Sequence, residues 1–438
     1  MNIRIYHARI LTMEEGRPLF WGELHVKGNQ ISYVGPSLSK KELEEMDVLW
    51  EREIDAEGNV IMPGFKNAHT HSAMTFLRSY ADDLPLLEWL NEKIFPMEAK
   101  LTEEDIYHLS KLAIMEYLTS GVTANFDMYL TPDSIAQASK DCGFRTVMAG
   151  SLNDHCHSIE SMEAWLKCYH NPEDLVTFQL GFHAEYTNSR ENLERLAALA
   201  HQYQVPVVAH SSESKEEVKG CIKRYGVTPT VLFDQLGLFE YGGTYYHCIH
   251  MTDEDLEIMA KKGIYAVTCP ASNLKLASGI ARIQDMLQMG VHVAIGTDGP
   301  SSNNCLDMFR EMFLVTGLAK VKNDDAAAVS AEAVLRMATV EGAHCMGLFN
   351  ADVLLEGKFA DLIMLDLQQP NMQPLNQIVR NIVYSGSKQN VKMTMVNGKI
   401  LYENGEFYIG TPAKEVYAKA NEILENKKRD KSCRLGNS

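Results

Sequence analysis

Eight short apolar runs separated by helix-patterned stretches, flanked by turn-punctuated strands at both chain ends, predict an α/β protein. The predicted architecture is a (β/α)8 TIM-like barrel with a small β-sandwich domain built from both ends of the chain. A third observation marks one face of that barrel: histidines and an aspartate recur at the ends of the apolar runs.

The runs come in order. NVIMPGFKNAH (59–69) is followed by VTANFDM (122–128), RTVMAGSL (145–152) and VTFQLGFHA (176–184). VPVVAHS (205–211), TYYHCIH (244–250), IYAVTCP (264–270) and VHVAIGTD (291–298) complete the set. Helical periodicity is clearest in LTEEDIYHLSKLAIMEYLTSG (101–121), where Thr102 and Asp105 form a capping box and Gly121 a stop. TDEDLEIMAKKG (252–263) repeats that design between two strands. At the N-terminal end, GELHVKGNQISYVG reads as two strands joined at Gly28-Asn29. At the C-terminal end, VKMTMVNGKILYENGEF does the same at Asn397-Gly398, with a further turn at Asn404-Gly405. Hairpins this short need partners, so the two ends are expected to pair. Residues 1–58 and 355–410 are therefore assigned to the sandwich and 59–354 to the barrel. Residues 411–438 read as a helix and polar tail, with ENKKRDKSCRLGNS expected to be mobile.

Composition narrows the function. The 438 residues are 45% hydrophobic and 23% charged, with a formal net charge of -17. No basic footprint for nucleic acid or an anionic membrane exists, so neither partner is expected. The nine cysteines are scattered and never form C-x-x-C, which fits a reducing cytoplasm rather than a disulfide framework. The opening MNIRIYHARILTMEEG reads as a strand, not a signal peptide, and no run of about 18 apolar residues occurs.

In NAHTHSAM (67–74), His69 and His71 are two positions apart, so on a strand both imidazoles face one point. His210 closes the fifth run and Asp298 the eighth. In a barrel the carboxyl ends of the strands share one face, so these four side chains can converge. Three imidazole nitrogens and a carboxylate suit one Zn²⁺ per chain, with Fe²⁺ as the alternative. Glu213, in HSSE, follows His210 by three residues and can carry protons beside that metal. His247 and His250 have odd separation, so one faces the site and the other serves structure. NDHCHS (153–158) holds a second H-x-H without partners, and His155 or His157 is expected at the substrate mouth.

PGFKNAHTHSAM, HSSE, HCIH, CPASNLKLASGI and GTDGPSSNN together resemble the amidohydrolase superfamily. More narrowly they resemble its deaminase and chlorohydrolase group, which includes the 5-methylthioadenosine/S-adenosylhomocysteine deaminases. DDLPLLEWLNEKIFPMEAKL and LEGKFADLIMLD extend the likeness over nearly the whole chain. The resemblance implies a mononuclear site with His69, His71, His210 and Asp298 as ligands. It assigns acid/base work to Glu213, His247 and Asp298. It places Trp89, Glu98, His183 and Glu213 against the substrate, an aminated purine nucleoside or related heterocycle that loses ammonia by hydrolysis; guanine, pterin or cytosine deamination, ring-chloride or cyclic-amide hydrolysis, and a non-catalytic binding protein of this fold are the alternatives. A homo-oligomer is implied as well. Three features depart from the group: Glu185 stands where a proline is common, Thr268 where a histidine is common, and no arginine occurs between Arg145 and Arg190. Without those arginines a free carboxylate on the substrate lacks a counter-charge, which ranks 5-methylthioadenosine and adenosine above S-adenosylhomocysteine. Glu185 is expected to add repulsion if it faces the pocket.

Overall fold

A computed structural model describes residues 1–429. Eight parallel strands surround the centre: β1 (Phe65–Thr70), β2 (Val122–Met128), β3 (Arg145–Ala149), β4 (Val176–Phe182), β5 (Val207–Ser211), β6 (Gly243–His247), β7 (Ile264–Thr268) and β8 (Val293–Ile295). They pair in sequence order from β1 to β8, the order of a (β/α)8 barrel. The seam between β8 and β1 is closed by side chains and one amide. The Thr297 N–H donates to Asn67 Oδ1 at 2.8 Å, Asn67 Nδ2 donates to Thr297 Oγ1 at 2.7 Å, and the Asp298 N–H donates to the His69 carbonyl at 3.0 Å.

The run expected as one strand over 59–69 is two. Val60–Pro63 joins the sheet of the chain ends and Phe65–Thr70 opens the barrel. Gly64 separates them, because a Cβ there would fall 2.1 Å from Thr123 Cγ2 on the neighbouring strand. The sixth and eighth runs also stop short of their expected ends, at His247 and Ile295.

The helix Glu103–Thr119 starts at Thr102, whose hydroxyl and the Asp105 carboxylate cap each other's backbone, and stops at Gly121 with φ +74°. It buries Ile106, Leu109, Ala113 and Tyr117 against the barrel. The helix Ala413–Arg429 packs across it, tied by Lys427 to Asp105 at 2.5 Å. Residues 425–429, expected to be mobile, thus continue that helix, and 430–438 lie outside the described residues.

Strands from the two chain ends form one mixed sheet of nine. Val60–Pro63 joins the halves, running parallel to Asn2–Ile10 and antiparallel to Leu362–Leu365. The turns at Gly28-Asn29, Asn397-Gly398 and Asn404-Gly405 all join antiparallel neighbours. The far edge curls back, with Ile31 donating to the Lys358 carbonyl and Ala360 to that of Asn29. The two layers expected of a sandwich are two halves of this continuous sheet, folded over Ile3, Ile5, Leu24, Val26, Met364 and Met393.

Candidate active site

The metal-ligand and acid/base candidates stand at or just past the ends of barrel strands. His69 lies within β1 and His71 just beyond it. Their Nε2 atoms lie 3.5 and 3.3 Å from Asp298 Oδ1. His210, in β5, brings its Nε2 to 3.1 Å from that of His69. The Nδ1 of His71 meets the Met128 carbonyl at 2.5 Å, and that of His210 meets the His183 carbonyl at 2.7 Å. Those Nδ1–H groups are donors, so both imidazoles turn their Nε2 atoms toward one point.

This donor set fits a metal ion. Nitrogen and carboxylate ligand atoms from His69, His71 and His210, and from His69, His247 and Asp298, lie within 4.8 Å of one another, all in groups largely removed from solvent. His69 Nε2, His210 Nε2 and Asp298 Oδ1 converge, while His69 Nδ1 is buried without a partner, a donor set that one cation would satisfy together. Burial pushes His69 down to about 3 and His210 well below its ordinary value, so both are neutral ligands. Burial acts the same way on His71, but the hydrogen bond and charge of Asp298 outweigh it and hold that imidazole at about 9, so a cation bound there would displace its Nε2 proton. Burial opposes ionisation of Asp298 too, and its two imidazole partners overcome that, holding the carboxylate well below its usual range.

Asp298 lies three residues past β8 in the left-handed region, φ +60°. Its Oδ2 accepts from Ser272 Oγ at 2.5 Å and Ser302 Oγ at 2.7 Å, while Oδ1 accepts the Gly299 N–H at 2.7 Å. His247 also has a positive φ, +71°, and its Nδ1 meets Asn273 Oδ1 at 2.8 Å. Non-glycine residues pay for such backbone, and surrounding contacts must hold it. His247 Nε2 stands 3.9 Å from Glu213 Oε2. Burial raises the Glu213 carboxyl, partly offset by His247, so it can keep a proton at higher pH than an exposed glutamate.

His71, His210, Glu213, His247 and Asp298 line a cavity of about 650 Å³. Trp89, Glu98, Tyr129 and His183 line it as well. Trp89 belongs to the apolar core and spends its indole N–H on the Ala81 carbonyl at 3.0 Å, so it offers the cavity a ring face. Glu98 is buried with Oε1 lacking a hydrogen-bond partner, and burial raises its carboxyl. Burial lowers His183 to about 4, leaving it neutral.

The histidine pairs separate as follows. His247 faces the cavity, while His250 lies past the strand and bonds the Ser278 carbonyl at 2.8 Å. His155 lines the mouth. His157 instead braces the loop, accepting the Ser151 N–H at 3.1 Å and donating to the Leu130 carbonyl at 2.9 Å. Glu185 does not face the cavity: it is buried in an ion pair with Arg224, so it adds no repulsion there. Thr268 is buried and also off the cavity wall. Neither lysine nor arginine lines the cavity among the described residues.

The sequence reading leaves out Ser272, Ser302, Asn273, Tyr129 and Glu217. Only Glu217 has a local signal, the S-x-x-E spacing from Ser214. The others reach the site through tertiary structure alone.

A parallel barrel whose carboxyl-end face gathers imidazoles and carboxylates in one cavity has the form of a hydrolytic barrel enzyme. The chain belongs to the amidohydrolase family, whose model matches residues 60–401. A 5-methylthioadenosine/S-adenosylhomocysteine deaminase of Moorella thermoacetica is 41% identical over 92% of this chain and 94% of its own. One of the same name from Caldicellulosiruptor saccharolyticus is 38% identical over 92% and 94%. Among solved structures, an adenosine deaminase from Xanthomonas campestris with bound zinc superimposes with a TM-score of 0.91 at 30% identity, covering 97% of this chain and 98% of that one. Among the described residues, no helix is long and apolar enough to cross a membrane, and the cysteines are free.

Proposed function

We propose that this chain is a metal-dependent hydrolytic deaminase that releases ammonia from a 6-aminopurine nucleoside, with 5-methylthioadenosine and adenosine preferred over S-adenosylhomocysteine. The observation that carries this reading is the arrangement of Glu213, His247 and Asp298 beside three imidazoles at a nucleoside-sized cavity. The names of the relatives support the reaction and the substrate class. The cavity's lack of a lysine or arginine supports the ranking, since a desolvated carboxylate would have no cation.

His69, His71, His210 and Asp298 would hold one ion, Zn²⁺ or alternatively Fe²⁺, which supplies Lewis-acid activation of water. Asp298 is the base that takes a proton from the attacking water. His247, fixed by Asn273, orients and polarises that water through Nε2. Glu213 protonates the ring nitrogen next to the amine-bearing carbon, so charge is neutralised as the tetrahedral centre forms. The proton gathered by Asp298 goes to the amine, the hydroxyl of the tetrahedral centre returns its proton to Glu213 as the carbonyl forms, and the C–N bond breaks to release ammonia. Glu98 accepts hydrogen bonds from the ribose hydroxyls with its buried carboxylate, His183 reaches a sugar or ring heteroatom, and Trp89 packs on the substrate.

An ammonia-release screen tests the reading: adenosine derivatives beside guanine, pterins, cytosine and aminotriazines, with chloride release from chlorotriazines in parallel. Turnover of 5-methylthioadenosine or adenosine is expected. Turnover of a free base alone would reject the nucleoside, and chloride without ammonia would reject deamination. Elemental analysis is expected to find about one zinc or iron per chain. Activity untouched by chelators in metal-free protein would sink the mechanism. The family's setting also leads us to propose a cytoplasmic homo-oligomer, for which light scattering is the test; a monomer at micromolar concentration would overturn it.

A further inference from the structure

Glu217 is buried in the first turn of the helix Lys215–Tyr225. Its Oε1 accepts the Ser212 N–H at 2.8 Å, and its Oε2 accepts the Glu213 N–H at 2.8 Å and the Ser214 N–H at 3.5 Å. A capping box requires only the reciprocal bonds with the N-cap residue, Ser214. Here the bond to Ser214 is the longest of the three, and the two short ones reach past the helix into the strand end that carries Glu213.

Ser212 is the hinge of this arrangement. Its φ of +55° lies in the left-handed region, which a serine adopts only when its surroundings hold it there. Its N–H is held by Glu217. Its carbonyl accepts the N–H groups of Ile249 at 3.1 Å and His250 at 2.9 Å. Those residues immediately follow His247 and Cys248, which also have positive φ, +71° and +49°. The Ser211 carbonyl also accepts the Cys248 N–H, at 3.2 Å, so one buried carboxylate fixes the turn after β5 and, through two consecutive peptide units, that turn fixes the one after β6.

We propose that Glu217 is a positioning residue, which sets Glu213 and, through Ser212, the turn behind His247 for proton transfer. It touches neither the cavity nor the metal-holding groups. The inference rests on the proposed roles of Glu213 and His247. Its physical basis is that a general acid must stand within hydrogen-bond reach of the atom it protonates, so a small displacement costs rate more than binding.

The test is Glu217→Gln in the full-length, metal-loaded protein, with two readouts. Glutamine offers one acceptor oxygen and turns an N–H₂ group toward the other backbone donors. We expect amide exchange to quicken by about tenfold or more at residues 212–214 and also at 248–250, with the rest of the barrel unchanged. On the best nucleoside, kcat should fall by about 10–100-fold while KM stays within about threefold and bound metal is unchanged. Unchanged exchange at 248–250, or a kcat within about twofold of wild type, overturns the proposal. Should the glutamine variant not fold, Glu217→Asp, which withdraws the carboxylate by one methylene, faces the same two criteria. The exchange arm needs no substrate. A wild-type protein that deaminates nothing would refute the functional reading while exchange still decides the linkage between the two turns.

Discussion

At the residue scale, environment assigns different work to similar groups. Asp298 and Glu213 are both buried carboxyls lining one cavity. Two imidazoles hold Asp298 ionised, while burial favours the protonated form of Glu213. One is thereby suited to accept a proton and the other to give one. Glu213→Gln should retain metal and lose proton donation, with kcat down by at least about 100-fold in steady-state assays. The pH profile supplies the sign. A carboxyl raised above its ordinary value donates while protonated, so that step fails as pH rises through its value in the enzyme. The corresponding alkaline limb of kcat should vanish in Glu213→Gln, and a limb that persists unchanged belongs to another group. His247→Ala should be far more damaging than His250→Ala, because only His247 faces the cavity. Equal losses would contradict that assignment.

At the element scale, the barrel depends on what happens at strand ends. β8 is three residues long, and the amide of Thr297 beyond it is satisfied by the side chain of Asn67. Asn67→Ala should remove both bonds of that bridge and leave a buried N–H without a partner, costing about 2–4 kcal/mol in urea unfolding with the slope unchanged. A loss below about 1 kcal/mol would show that the seam is held by other contacts. These ends also explain what the sequence made legible. Apolar runs, capping residues and the N-G turns are local signals, and the H-x-H spacing survives because both imidazoles approach the same carboxylate oxygen. The limits of the strands were less legible. A close approach by Thr123 divides the first run at Gly64, and positive φ at His247, Cys248 and Asp298 turns the backbone out of strand geometry. Glu185 could be placed only once Arg224, 39 positions later, was seen to pair with it. Ser272 reaches Asp298 from the helix Pro270–Lys275 and Ser302 from the loop after β8, a convergence that no local pattern encodes.

At the scale of the whole molecule, the barrel and the sheet of the chain ends are joined by a buried ion pair. Arg145, the first residue of β3, donates from Nε to Asp361 Oδ2 at 2.6 Å and from Nη2 to Oδ1 at 3.2 Å. The guanidinium also lies 4.5 Å from the centre of the Phe359 ring. Asp361 in turn accepts the Asn397 N–H at 2.7 Å and so anchors a turn in the other sheet. Both side chains are at most 1% exposed. In such a pair desolvation offsets much of the attraction, so the pair as a whole stabilises little, but losing one partner strands a charge in the interior. Arg145→Met should therefore destabilise by about 3–5 kcal/mol, read as a lower urea midpoint. Asp361→Asn keeps the acceptor for Asn397 while removing the charge. Added to Arg145→Met, it should recover at least half of the loss, giving a large coupling energy in the double-mutant cycle. The pair sits at the amino ends of the strands, opposite the cavity, so whatever fraction of the single variant stays folded should keep its kcat. Strict additivity of the two substitutions would mean that the charges do not interact. A kcat falling in step with stability would mean that the joint between the two sheets reaches the active site.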